Sequence, residues 1–206
     1  VHEFEALTAL QLEALVRDGA TTAIVPFGSI EHQGDHLPLG ADALLADAVG
    51  REVALRLGAL LLPTVRVGDA SHHRLFFGTL TLQPGTLSEL AYELGDSLAR
   101  AGVRVVALVS THGGNALALK AAAERLNDAL PDLRVCAPRG DVGLDPGKHA
   151  GAWLTAVMLK LHPEHVRQAD AEGATPERGA EHFERFVGSI VAEVRGFASE
   201  GSAPAA

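Results

Sequence analysis

Cysteine is almost absent. Cys136 is the one thiol in 206 residues, which excludes an internal disulfide and any zinc site built on thiolates. It stands among Leu133, Val135 and Ala137 and reads as core packing. Aromatic residues are scarce, at 4% of the chain. Basic residues are outnumbered, 17 Lys and Arg against 26 Asp and Glu, for a formal charge of −9. That balance argues against nonspecific binding to nucleic acid or to an anionic membrane surface. No apolar run approaches the ~20 residues of a membrane span, and no signal peptide is read at the start. The cytoplasm is therefore the expected location. The GxSxG, HEXXH, CxxC and GxGxxG patterns are missing as well, which removes the usual signatures of serine hydrolases, zincins and dinucleotide-binding folds.

What is present is a well-patterned apolar chain, 47% hydrophobic with a mean hydropathy of +0.15. Strand-like and helix-like stretches alternate: a helix over 8–18, a strand over 22–27, a helix over 42–57 and a strand over 59–65. A helix over 86–101 follows, with Thr86 and Glu89 in capping-box spacing. Then come a β-branched strand over 103–109, a helix over 115–129 and a strand over 133–137. Helices over 150–161 and 176–196 close the pattern. Such alternation implies an α/β fold, a three-layer α/β/α sandwich around a mostly parallel sheet. Without a Gly-, Pro- or Ser-rich linker or an internal repeat, residues 1–200 read as one domain and 201–206 as a flexible tail.

Six of the ten histidines fall in four short polar stretches: GSIEHQGDHLPLGAD (28–42), GDASHHRLFFGT (68–79), THGGN (111–115) and KHAG (148–151). Three of the four follow expected strands, and α/β folds gather their ligands at the carboxyl ends of strands. Glu31 lies between Gly28 and Gly34 in a loop that needs no carboxylate in order to fold. Asp42 stands where the next helix begins and serves equally as a cap or as a site residue. His112 follows the most buried-looking strand, and Asn115 is placed to cap the helix after it. Two carboxylates and one imidazole form a donor set for Zn, Mn or Fe. His149 is placed to open a helix, where the dipole lowers an imidazole pKa and suits a proton shuttle. His72, His73, Phe76 and Phe77 form a loop that either lines a pocket or pins down a surface turn. His162, His165 and His182 read as solvated surface residues.

Taken in order, the four stretches resemble the creatininase family (creatinine amidohydrolase and relatives, among them a peptidase branch of redox-cofactor maturation). The family pattern runs roughly GSxExHGxHLPxxTD, GxSxxHxxFPGT, a His-Gly-Gly-Asn turn, and HAGxxETS. The match spans about residues 20–166, and the final helix, beginning GATPERGAEHFERF, is similar too. The resemblance implies hydrolysis of a cyclic or otherwise unusual amide at a metal site, in a homo-oligomer that is often a hexamer. The expected substrate is a small molecule or a short peptide. Glu31, Asp42 and His112 match family metal ligands, Asp42 at a bridging position. His149 matches a proton-transfer histidine, and His36, grouped with it as catalytic, matches a motif histidine of the site, as does His73. The substrate-binding set expected from the motifs is His73, Phe77, His32 and Gln33.

The chain also departs from the pattern. Gln33 stands where the family has a second-metal histidine, with a histidine displaced by one place to His32. Leu154 replaces the glutamate of HAGxxET, Gly114 occupies an alternative glutamate position, and Phe77 replaces the FPGT proline. These changes imply one divalent ion per chain rather than two. The other reading is a non-catalytic or repurposed homologue, serving as a binding or assembly subunit or catalysing another reaction in the inherited pocket.

Overall fold

The computed structural model describes residues 1–141, 149–167 and 173–200. The expected tail at 201–206 and Lys148 of the KHAG stretch lie outside the described residues. Five strands form one parallel sheet in the order β1 (His2–Glu3), β3 (Leu60–Leu61), β2 (Thr22–Phe27), β4 (Val105–Ser110) and β5 (Arg134–Cys136). The helices are α1 (Ala9–Arg17), α2 (Ala41–Leu57), α3 (Pro84–Arg100), α4 (Ala116–Ala129), α5 (Ala152–Leu161) and α6 (Pro176–Glu200).

Strand alternation sends successive side chains to opposite faces, and the two cores follow from it. Ala23, Val25 and Phe27 of β2 join Val106 and Leu108 of β4 under α1, α3 and α4. Ile24, Ala107 and Val109 face the other way, against α2, α5 and α6. Helix α6 meets that second face with Phe186, Val187, Ile190, Val191 and Val194, an i, i+4, i+8 stripe. Both faces of the sheet are thus covered, as a parallel sheet requires.

Where the boundaries differ from the pattern, local chemistry accounts for most of it. Strand β3 is two residues long, not seven, because Pro63 has no N–H to donate to a ladder. The chain still runs beside β2, with Leu62 N–H on the Ile24 carbonyl and Val65 N–H on that of Pro26. Helix α3 opens at Pro84 and not at Thr86, since proline is preset for a first helical turn. Its cap is Gln83, which makes no side-chain capping bond, so the expected Thr86–Glu89 box is not the start of this helix. The capping box sits instead on α1, where Thr8 and Gln11 bond reciprocally. β1 was not expected: a two-residue strand is too short to carry a periodic signal. No described helix is long and apolar enough to cross a membrane.

Candidate metal centre

The carboxyl ends of β2 and β4 lie side by side, with Phe27 paired to Ser110. The loop leaving β2 carries Glu31, and the turn leaving β4 carries His112. Asp42 arrives from the first turn of α2, whose N-cap is Gly40, so Asp42 is not the cap. Its side chain turns inward because the backbone there is held close. A Cβ on Gly28 would lie 2.4 Å from the Ala43 Cα, so only glycine allows β2 and α2 to approach this nearly. Thr111 Oγ1 donates to the Asp42 carbonyl at 2.7 Å and fastens the β4 end to the same turn.

Three groups meet there, all buried. His112 Nδ1 stands 3.1 Å from Asp42 Oδ2 and 3.2 Å from Glu31 Oε1. His112 Nε2 donates to the Asp69 carbonyl at 3.0 Å, which leaves Nδ1 as the nitrogen aimed at both carboxylates. A backbone carbonyl behind an imidazole in this way is the usual means of orienting a histidine ligand. Gly114 makes the contact feasible: a Cβ there would fall 2.1 Å from the Asp69 carbonyl oxygen and 2.6 Å from His112 Nε2. No glutamate fits at that position without rebuilding the turn.

The electrostatics follow from crowding two carboxylates without water. Burial alone would lower the His112 pKa, but its hydrogen bonds to Asp42 and Glu31 outweigh that and raise it to about 10. Burial pushes Glu31 up, yet His112 and His73 overcome this and bring it to about 2. Asp42 stays raised, burial being the leading cause. In the metal-free chain a proton on His112 therefore supplies the positive charge that the two carboxylates demand.

Gln33 is the second group that satisfies the pair, by hydrogen bonds and without charge. Its Nε2 donates to Glu31 Oε1 at 3.1 Å and to Asp42 Oδ2 at 3.0 Å, while its Oε1 has no hydrogen-bond partner. The amide thus bonds the same two carboxylate oxygens that His112 Nδ1 approaches. His32 does not replace it: its ring stacks on Phe76 at 5.1 Å.

Imidazoles ring the outer side of Glu31. His73 Nδ1 lies 2.9 Å from Glu31 Oε2, and His149 Nδ1 lies 3.7 Å from Oε1. His149 Nε2 donates to the His32 carbonyl, so its Nδ1 also points toward the site. Its pKa is lowered by burial and not by a helix terminus, since α5 starts at Ala152, three residues later. His72 stacks on His112, with ring centroids 5.7 Å apart. Groups capable of holding an ion therefore include Glu31 with His72 and His112, and Glu31 with His73 and His149.

Against this cluster lies a cavity of about 800 Å³, lined also by Leu117, Trp153, Leu154, Phe186, Lys120 and Arg139. Glu31, Gln33, Asp42, His112 and His149 all line it. His36 does not: its Nε2 bonds Thr155 Oγ1 at 2.9 Å, so it ties the β2 loop to α5. Phe77 is 98% exposed and points into solvent, whereas Phe76 packs edge-on against His73. His72, unassigned from the motifs, lines the cavity. Asn115 is also differently employed. It makes no capping bond; instead Nδ2 donates to the Gly28 carbonyl at 3.0 Å and Oδ1 accepts from Asp69 N–H at 2.9 Å. One buried amide thus joins the three loops that carry Glu31, Asp69 and His112. Such a role leaves no local sequence signal beyond Asn itself.

Comparison with known proteins bears on this arrangement. The family model for creatininase, described as creatinine amidohydrolase, matches residues 5–201. A mycofactocin precursor peptide peptidase of Mycobacterium ulcerans is 38% identical over 152 residues, 69% of this chain and 59% of that protein. The match thus spans about three fifths of that relative's length. A creatinine amidohydrolase of Pseudomonas putida is 30% identical over 190 residues, 78% of this chain and 72% of that one. A solved structure described as creatininase Mn superposes with a TM-score of 0.80 at 25% identity, covering 94% of this chain and 97% of its own.

The His112 proton gives the metal-free protein a measurable pH dependence. Its folded pKa of about 10 lies above the ordinary 6.5, so between those values the folded chain holds a proton that the unfolded chain has released. The stabilisation is complete below the ordinary value and is lost as pH rises through the folded one. Urea midpoints of chelator-treated protein should fall from pH 7 to pH 10, and the fall should flatten in His112→Gln. Equal slopes in the two proteins would contradict the assignment.

Proposed function

The chain belongs to the creatininase family, and we propose that it is a metal-dependent amidohydrolase acting on a cyclic or otherwise unusual amide. The observation that carries this reading is the meeting of Glu31, Asp42 and His112 Nδ1 within 3.2 Å of the imidazole nitrogen. The donor set passes the chemical test for a divalent ion. Two buried carboxylates face one nitrogen whose other ring position is already committed to a carbonyl, and oxygen with imidazole suits Mn, Zn or Fe. The ion, when bound, supplies Lewis acidity toward an amide carbonyl and toward water.

The remaining work falls to this chain's own residues. Glu31, Asp42 and His112 hold the ion, and His73 fixes the second Glu31 oxygen. His149 is neutral at pH 7 because burial lowers its pKa. Anchored through Nε2 to the His32 carbonyl, it presents Nδ1 to take the proton of the attacking water. It then gives that proton to the amide nitrogen as the C–N bond breaks. His36 acts at one remove, by holding the Gly34 loop against α5 through Thr155. Gln33 and His72 line the cavity, and His32 contributes through the carbonyl that anchors His149. A short peptide is favoured over a small ring, for the ~800 Å³ cavity lies in the upper range of sites that enclose drug-sized ligands. The higher identity to the peptidase relative agrees with that preference.

We assign one ion per chain to this pocket. A second ion would need anionic or imidazole ligands of its own, whereas Gln33 and Leu154, which line the cavity where the motifs place such ligands, offer a neutral amide and a hydrocarbon. The same two residues favour the second reading, a homologue that retains the pocket but has lost hydrolysis or has taken on another reaction. Elemental analysis and activity screening separate the two. The first reading expects about one equivalent of Mn2+ per chain, lost in His112→Ala, with turnover of short peptides or cyclic amides that falls at least 100-fold in His149→Ala. One equivalent with no turnover across the panel would favour the second reading, and two equivalents in the pocket would defeat the one-ion assignment.

The chain is also proposed to assemble as a homo-oligomer, a hexamer being the form that the resemblance suggests. Leu75, Phe77 and Leu117 are each at least four-fifths exposed, which leaves apolar surface for a second copy. Light scattering at micromolar concentration should give a multiple of 21.5 kDa, and a stable monomer would count against assembly.

A further inference from the structure

Away from the cavity, the turn after α5 brings three metal-ligating side chains together in four consecutive residues, His162, Pro163, Glu164 and His165. Glu164 Oε1 lies 3.5 Å from His162 Nδ1 and 3.6 Å from His165 Nε2. The three donor atoms all fall within 4.8 Å of one another, and the two rings are 5.9 Å apart at 34°. None of the three residues lines the catalytic cavity.

From this juxtaposition we propose that His162, Glu164 and His165 form a second, peripheral site for a borderline divalent ion such as Zn2+, Ni2+ or Cu2+. The spacing argues for it. An ion held at about 2.1 Å in tetrahedral geometry sets its ligand atoms roughly 3.4 Å apart; the two edges from Glu164 lie close to that, and the third is within 4.8 Å. Two imidazoles with one carboxylate are borderline donors, which select late first-row ions over Mg2+ or Ca2+.

The backbone presets the three side chains. His162 N–H bonds the Met158 carbonyl at 2.8 Å and ends the helix there, His165 N–H bonds His162 O at 3.0 Å, and Val166 N–H bonds Pro163 O at 3.2 Å. Pro163 fixes one backbone torsion of the turn. Closing a chelate within four residues of an ordered turn carries little loop entropy. The flanks are anchored too: Leu161 and Val166 pack against the core beneath α5 and α6, and Arg167 N–H bonds the His36 carbonyl at 2.8 Å. An ion at this turn would brace the segment that meets the His36 loop from outside the pocket. The side chains are part-exposed, at 29%, 61% and 49% for His162, Glu164 and His165, so water completes the coordination and the ion exchanges readily.

The test is zinc uptake by the full chain, measured by equilibrium dialysis of wild type against His162→Gln/His165→Gln. The expected result is one equivalent fewer in the double variant, with unchanged helical circular dichroism. Glu164→Gln, an isosteric change on an exposed side chain, should weaken that equivalent tenfold or more and serves if the double variant folds poorly. Cu2+ added to His112→Ala should show an electron paramagnetic resonance component coupled to two imidazole nitrogens that His112→Ala/His162→Gln/His165→Gln lacks, whatever signal Glu31, His73 and His149 give in both proteins. Equal zinc uptake by wild type and double variant, or copper couplings indifferent to His162 and His165, would overturn the site. Neither result depends on whether the pocket hydrolyses an amide.

Discussion

Two carboxylates buried side by side are the constraint from which the rest of this site follows. Taken out of water, Glu31 and Asp42 repel each other and each carries a desolvation cost that must be offset locally. The chain brings His112 Nδ1 and the Gln33 amide to the same two oxygens, Glu31 Oε1 and Asp42 Oδ2. The imidazole answers by binding a proton over a wide pH range, and the amide answers without charge. Such a pair would suit a cation of higher charge density than an imidazolium, and the proposal of a metal centre rests on that.

Holding the carboxylates together is a task for the loops as much as for the ligands. Gly28 lets β2 and α2 approach, Gly114 lets His112 reach the Asp69 carbonyl, and Asn115 bonds across the loops beyond the strands. These residues touch no substrate in this account, yet a change in any of them would move a ligand. The sheet supplies the common frame. The loops that carry Glu31 and His112 leave adjacent parallel strands, and α2 returns Asp42 to the same end.

Much of the fold is legible from apolar periodicity. The alternating strands and helices, the parallel sheet and the two-sided cover follow from runs such as VRVVALV and from the amphipathic stripe of α6. What periodicity does not reach is short or local: a two-residue edge strand, a ladder cut by Pro63, a helix opened by Pro84. The site is legible to the level of which loops meet. Glu31, Asp42, His112 and His149 are brought together as the motifs suggest. The direction of a side chain is not, because it depends on neighbours distant in sequence. Phe77 points to solvent while the half-exposed Phe76 packs on His73, His36 bonds Thr155 on α5, and Asn115, at the N-cap position of α4, spends its side chain on tying loops. His162 and His165 likewise read as solvated side chains until the turn geometry sets them beside Glu164.

The central claim is that a cation exchanges with the proton on His112. Calorimetric titration of the chelator-treated protein with Mn2+ at pH 8, run in buffers of differing ionisation enthalpy, counts the protons released. Because His112 is protonated in the metal-free pocket with a pKa of about 10, and ligands bind metal deprotonated, about one proton should leave per ion bound. That release should disappear in His112→Gln. Binding to the wild-type pocket with no proton released would contradict the account.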